Sequence, residues 1–173
     1  LFLLSCSFPA FFYIQMEVNR NMKCKKKGID PTRMRCQYCG GTAVLRSADG
    51  IYRKNPNHTM LYVCSNYPHC DAYVRTHSGT SIPVGTLANS KLRKLRYQAH
   101  HYFNQLYCSG LMSKQEAYLW LTELLQIPPS EAHIGLLGEY YCSEVIKESK
   151  KLLAQRQQNH SADAHYSEGG AAS

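Results

Sequence analysis

The 173-residue sequence has few acidic residues. Asp and Glu number 12 against 20 Lys and Arg, which gives a formal net charge of +8. A protein of this charge repels other cations and attracts polyanions, so nucleic acid is the first partner to consider. Basic charge is common among soluble proteins, and a binding site is needed before a partner can be named.

Long apolar runs are also missing. Residues 1–14, LFLLSCSFPAFFYI, are apolar, but they fall short of the ~20 residues that a membrane-spanning helix needs, and Pro9 interrupts them. No basic residues precede this run and no small-residue cleavage site follows it, as a secretory signal requires. We predict no membrane partner, and we expect residues 1–33 to be disordered or translated from upstream of a start at Met22 or Met34.

Recognisable catalytic motifs are absent as well. His100, His101 and His133, with Cys108 and Cys142, are ligand types that packed helices could bring together. No carboxylate pair, Ser-His-Asp set, HExxH or phosphate-binding glycine loop accompanies them, and their spacing specifies nothing. We predict that the protein is not an enzyme, with a metal-dependent nuclease-like activity of these histidines as an alternative.

Four of the eight cysteines have the spacing of metal ligands. Cys36 and Cys39 are separated by two residues and followed by two glycines, and Cys64 and Cys70 flank the loop Ser-Asn-Tyr-Pro-His. Four thiolates complete a tetrahedron around zinc and leave no open position for water, so we predict one structural Zn²⁺ ion. His69 is the competing ligand.

The other cysteines are scattered along the chain, at Cys6, Cys24, Cys108 and Cys142. This distribution is unlike the disulfide framework of a secreted protein. It favours a reducing, cytoplasmic compartment.

The pattern of apolar residues predicts an α+β fold, a small β zinc ribbon at 34–80 followed by a three-helix unit at 84–156. Short strand-like runs at 42–46, 60–63 and 72–76 are separated by turn residues. Residues 78–84 have the composition of a linker. A disordered tail is expected at 157–173.

Helical periodicity begins after the linker. An apolar stripe runs through 86–107, and Ser113 with Glu116 forms a capping box that opens a second helix. Pro128 and Pro129 end that helix, and 138–155 forms a third.

The segment Tyr62–Cys70, together with Cys36-x-x-Cys39-Gly40, resembles the C-terminal zinc ribbons of type IA DNA topoisomerases. That resemblance implies binding of single-stranded DNA. The ribbons of that family usually carry a glycine and an aromatic residue before the third cysteine, where this sequence has Thr59 and Leu61. The catalytic domain of a topoisomerase does not fit within this chain.

A second resemblance covers more of the sequence, from Met34 to about Leu153. It is carried by Cys70-Asp-Ala-Tyr-Val74, Pro83-x-Gly-Thr-Leu-Ala-Asn89, Ala117-Tyr-x-Trp-Leu121 and His133-Ile-Gly135. These strings are similar to an uncharacterised bacterial and phage family of zinc-finger-containing domains. The resemblance implies a zinc finger and no assigned activity.

Aromatic and basic residues together are typical of single-strand binding, in which bases stack on rings and phosphates pair with cations. The ribbon offers Tyr52, Tyr62, Tyr67 and Tyr73 with neighbouring basic side chains, although about half of the tyrosines should turn inward by strand alternation. We predict that single-stranded DNA binds a set of eight residues: Arg53, Lys54, Tyr62, Tyr67, Tyr73, Arg75, Arg93 and Arg96.

A protein partner is the alternative to nucleic acid. Zinc ribbons also dock onto other proteins, so the chain could be an adaptor in a replication or transcription assembly. The salt dependence of binding separates the two cases, because phosphate contacts weaken steeply as salt rises.

Overall fold

The computed structural model describes residues 29–167, with side chains for residues 29–158. The predictions for residues 1–28 and 168–173 lie outside this range. The described chain forms three strands, β1 (Ala43–Ser47), β2 (Met60–Cys64) and β3 (Tyr73–Arg75), and then three helices, α1 (Ser90–Cys108), α2 (Lys114–Leu125) and α3 (Glu139–Ser167). The predicted α+β fold class is confirmed.

The strands form one antiparallel sheet in the order β1-β2-β3. Leu45, Tyr62 and Val74 are in register across it, and so are Val44, Val63 and Tyr73. Because residues in register share a face of the sheet, these two rows point to opposite sides.

Both faces of the central strand β2 are covered. Tyr62 and Val74 pack against Met34, Cys36 and Leu87 on one side. Leu61 and Val63 pack on the other side against a second group of residues: Ala48, Ile51, Tyr52, Tyr67 and Tyr73. Burial on both sides explains why β2 is continuously apolar, without the alternation of a half-exposed strand.

Local signals set the ends of the helices. The side chain of Asn89 accepts a hydrogen bond from Leu92 N–H and caps α1, which begins at Ser90, four residues later than the start of the apolar stripe at residue 86. Ser113 and Glu116 form the predicted capping box of α2, and Gln126 ends that helix in the left-handed conformation. The core of the helical unit is centred on Phe103, Leu106 and Leu121.

The segment that follows β3 packs against the ribbon and does not behave as a free linker. Residues 83–88 return antiparallel to β3, with bridges from Thr76 to Pro83 and from Tyr73 to Ala88. Leu87 lies in the ribbon core and its neighbour Ala88 lies in the helical core. Two adjacent residues therefore anchor both units.

Helix α3 continues to Ser167. The sequence pattern had predicted that the helical unit ends at residue 156 and is followed by a disordered tail. Residues 150–164 are rich in Ala, Gln, Lys and Leu and contain no Gly or Pro, so the backbone favours a helix even where the apolar stripe ends. Within the described residues, no helix has the length and apolar character needed to cross a membrane.

Candidate metal centre

The four predicted cysteine ligands lie together at one end of the sheet. Their sulfur atoms are all within 4.8 Å of one another, with 3.5 Å between Cys36 Sγ and Cys70 Sγ and 3.3 Å between Cys39 Sγ and Cys64 Sγ. Four Zn–S bonds of ~2.3 Å in a tetrahedron place the sulfurs about 3.8 Å apart. The cluster therefore has the dimensions of a single zinc site, and the exposed His69 is outside it.

The ends of β1 and β2 bring the two cysteine pairs together. Cys64, the last residue of β2, is in register with Ala43, the first residue of β1. Ser65 N–H donates to the Thr42 carbonyl at 2.8 Å, and Cys64 N–H donates to the Ala72 carbonyl at 2.9 Å. The sheet therefore fixes the distance between the first and second pairs.

The two glycines after Cys39 have separate structural roles. Gly40 has a φ of 73°, in the left-handed region that closes the turn. Gly41 is constrained by space, because a Cβ there would lie 3.1 Å from Cys64 Sγ and 2.9 Å from Ser65 Oγ. A side chain at position 41 would push against a metal ligand.

Backbone groups donate hydrogen bonds to the sulfurs. The N–H groups of Gly41, Asn66 and Ala72 each point at the cysteine two residues earlier in the chain. Asn66 Nδ2 also donates to Cys39 Sγ at 3.3 Å. Such bonds orient the ligands and partly neutralise their negative charge.

Two of the thiols differ widely in acidity. The hydrogen bond from Gly41, with further bonds from the Cys64 and Asn66 side chains, lowers the pKa of Cys39 to about 6. Burial raises the pKa of Cys64 to about 12. A coordinated divalent cation overcomes this difference, because each ligand sulfur binds it as the thiolate.

Comparison with known proteins agrees with this geometry. A family described as a zinc-finger-containing domain matches residues 32–152. The chain belongs to this family. No curated protein and no solved structure gives a significant match to this chain.

Membership of a zinc-finger family and the cluster of four cysteines together confirm the prediction of one zinc ion. Residues 32–152 include the whole sheet, α1, α2 and the first half of α3, so the family unit joins the ribbon to the helices. The metal centre of this zinc-finger protein is thus part of a larger fold.

Two of the residues predicted to bind nucleic acid are buried, which leaves them little surface to offer a ligand. Tyr62 is 7% exposed, and its hydroxyl donates to the Ser81 carbonyl at 2.9 Å. Arg96 is 8% exposed, and its guanidinium donates to the carbonyls of Thr86 and Leu137. Each packs inside the protein because the segment after β3 covers it.

Arg93 and Tyr73 contact each other. The Arg93 guanidinium lies 3.7 Å from the centre of the Tyr73 ring and donates to both the carbonyl and the carboxylate of Asp71. These contacts join α1 to the ribbon. They also cover one side of the Tyr73 ring.

The remaining predicted binding residues are accessible. Arg53, Lys54 and Arg75 are exposed, and Tyr67 is half-buried with the Arg46 guanidinium 5.7 Å above its ring. Tyr97, which is 75% exposed on α1, is among the exposed aromatic side chains that the sequence did not identify. Its position off the apolar stripe of α1 was the signal that could have identified it.

The histidines of the helical unit do not form a second metal site. Among the described residues, the cysteine cluster is the one group with the geometry to hold a metal. His101 hydrogen-bonds Gln105 one turn along α1, and the His133 ring packs edge-on against Tyr118. Cys142 is fully buried in the core, with its thiol against the Leu137 carbonyl.

Proposed function

We propose that this zinc-finger protein binds single-stranded nucleic acid, with single-stranded DNA favoured, as a non-catalytic accessory factor. The observation that carries the proposal is the arrangement of one face of the sheet, which we call the aromatic face. It consists of Tyr52, Tyr67 and Tyr73 with Arg46 and Arg75. The ribbon's resemblance to those of type IA topoisomerases supports the preference for single strands.

Cations and rings lie close together on the aromatic face, where the Arg46 guanidinium is 5.7 Å from the centre of the Tyr67 ring. Arg46 and Arg75 are in register on either side of Leu61, so their side chains leave the same side of the sheet. Tyr52 meets Tyr73 edge-on at 6.1 Å between ring centres, and Arg53 and Lys54 follow Tyr52 in an exposed loop. Rings that stack with bases beside cations that pair with phosphates are the two elements of single-strand binding.

The distribution of charge along the chain supports the same surface. Residues 34–108, the ribbon and α1, contain nine Lys and Arg against two Asp and Glu. Residues 109–167, which include α2 and α3, contain five Lys and Arg against seven Asp and Glu. The pairing of Asp71 with Arg93 at 3.0 Å neutralises one charge of each sign, so the nine cations and two carboxylates leave residues 34–108 with a net charge of +7.

In this proposal zinc is structural. Four thiolates fill its coordination sphere, so the ion supplies folding free energy to the ribbon and has no open position for substrate. A reducing compartment keeps the cysteine ligands from forming disulfides, and we therefore propose a cytoplasmic location.

The test is binding of the zinc-loaded protein to a fluorescent single strand and to a duplex of equal length over a series of salt concentrations. We expect tighter binding to the single strand. The double variant Arg46→Ala/Arg75→Ala should bind more weakly and reduce the slope of log K against log salt by about 1.4, at ~0.7 per phosphate contact. The matched control is Lys147→Ala/Lys151→Ala, which removes two exposed cations of α3.

Two outcomes would overturn this function. One is the absence of binding to either nucleic acid at low salt. The other is an equal loss of affinity in both double variants, because binding would then follow net charge and not the aromatic face.

One observation favours an adaptor as the second candidate. Strand β1 is an edge of the described sheet, and its Val44 and Leu45 are 48% and 39% exposed. An exposed apolar edge can pair with a strand of another protein. Leu45→Ser, on the face of β1 opposite to Arg46, should weaken binding to such a partner and leave binding of a single strand unchanged.

A further inference from the structure

Helix α1 lies directly beside the aromatic face. Arg93 in its first turn stacks on Tyr73 of β3, and the backbone N–H of Ser90 donates to the Asp71 carboxylate at 2.8 Å. These contacts hold one flank of α1 next to the edge of the sheet.

The same flank carries an exposed ring one turn further on. Tyr97 follows Arg93 by four residues, which places it on the same side of the helix about 6 Å along the axis. It is 75% exposed. His100 lies three residues after Tyr97. Desolvation of its ring lowers its pKa, and the nearby positive charges of Arg75 on β3 and Arg96 lower it further. Arg75 of the aromatic face therefore lies near this flank of α1.

The charges around Tyr97 fit a polyanion. Helix α1 contains no Asp or Glu. The exposed Lys94 lies three residues before Tyr97, about one turn away. The other strongly exposed tyrosine, Tyr140, is 72% exposed on α3, but Glu139 and Glu144 lie beside it in the sequence and on the next turn. Glu139 and Glu144 are paired with Lys91 and Lys147, so the surroundings of Tyr140 offer phosphates no excess positive charge, whereas the acid-free helix around Tyr97 attracts them.

We propose that a bound single strand continues from the aromatic face onto α1, where one base stacks on Tyr97 and Arg75 contacts the intervening phosphate. This inference rests on the proposed function and extends it, because the helical unit then contributes directly to binding. The ribbon and α1 form one continuous site for a single strand.

The test compares Tyr97→Ala, Tyr97→Phe and the matched control Tyr140→Ala in the full zinc-loaded chain. The probes are oligothymidylates of about 4 and about 16 nucleotides, which span the site sizes of small single-strand-binding domains. Tyr97→Ala should bind the longer strand about 5- to 150-fold more weakly, the range that stacking of one base implies. Tyr97→Phe and Tyr140→Ala should bind it like the wild type.

Melting temperatures equal to that of the wild type show that the variants are folded. If wild type binds the strands and Tyr97→Ala binds the longer one equally well, the extension onto α1 is wrong and the proposed function survives. If wild type binds neither strand, the proposed function itself is wrong, and the extension falls with it.

Discussion

Arg96 connects three parts of the chain through hydrogen bonds made by one buried side chain. Its Nε donates to the Leu137 carbonyl at 3.1 Å, and its terminal nitrogens donate to the carbonyl and hydroxyl of Thr86 at 2.8 Å. Thr86 lies in the segment that returns along β3, and Leu137 lies just before α3. The guanidinium thus links α1 by hydrogen bonds to the segment that returns along β3 and to the residue that precedes α3.

Replacing Arg96 by Met should destabilise the protein strongly. The two carbonyls would lose their donors, and each buried acceptor left unsatisfied costs ~1–3 kcal/mol, so we expect a loss of about 3 kcal/mol in the free energy of unfolding. Urea unfolding of the zinc-loaded protein measures it. Lys94→Met, an exposed change on the same helix, is the control, and equal stability of the two variants would contradict a structural role for Arg96.

Helix α2 depends on its capping box in a pH-dependent way. Glu116 accepts a hydrogen bond from Ser113 N–H at 2.6 Å, and this bond lowers the pKa of the Glu116 carboxyl. A lowered pKa in the folded state stabilises the protein at every pH above the unfolded value of ~4.3. That contribution disappears as the pH falls through the folded pKa.

We therefore expect Glu116→Gln to be less stable than wild type at pH 6 and to approach it as the pH falls below the unfolded value. The glutamine keeps a hydrogen-bond acceptor but cannot carry the charge. Urea midpoints of the two proteins, measured in parallel from pH 6 to strongly acidic pH, give the difference. A difference that does not change with pH would contradict the assignment to the carboxylate.

The elements that the sequence predicted well are those defined by short-range signals. Cys36 and Cys39 are neighbours along the chain, and the box of Ser113 and Glu116 is contained in one helical turn, so spacing alone identifies each. The strands were located within one or two residues because turn residues surround them. The distant segments that cover Tyr62 and Arg96 were not predictable in this way.

Those two side chains are buried by contacts between distant segments. Tyr62 bonds Ser81, and Arg96 bonds Leu137, 41 residues later. Arg96 lies on the apolar stripe of α1, four residues after Leu92 and three before Ala99, whereas Lys94 lies off that stripe and is exposed. The packing of residues 83–88 on β3 decides which basic residues remain available to a ligand.

At the scale of the whole molecule, the hydrophobic core of the ribbon and that of the helical unit meet at Leu87 and Ala88. The helical core is assembled from α1, α2 and α3 and contains none of the four metal-binding cysteines. The ribbon has strands of five, five and three residues, too short a sheet to be stable without a further contribution. Zinc coordination supplies it, because thiolate binding and folding of so small a unit are coupled.

Removal of the metal should therefore unfold the ribbon and leave the helices. After addition of a strong zinc chelator, we expect backbone amides of β1, β2 and β3 to lose protection from hydrogen exchange, while the interior amides of α1 and α3 keep theirs. The first turn of α1 should loosen with the ribbon, since Asp71 and Tyr73 would no longer contact Ser90 and Arg93. Cys64→Ser should give the same exchange pattern without chelator, and zinc should restore protection only in the wild type. Loss of protection throughout α3 would mean that the two cores unfold as one cooperative unit, and retained protection in β2 would mean that the sheet is stable without metal.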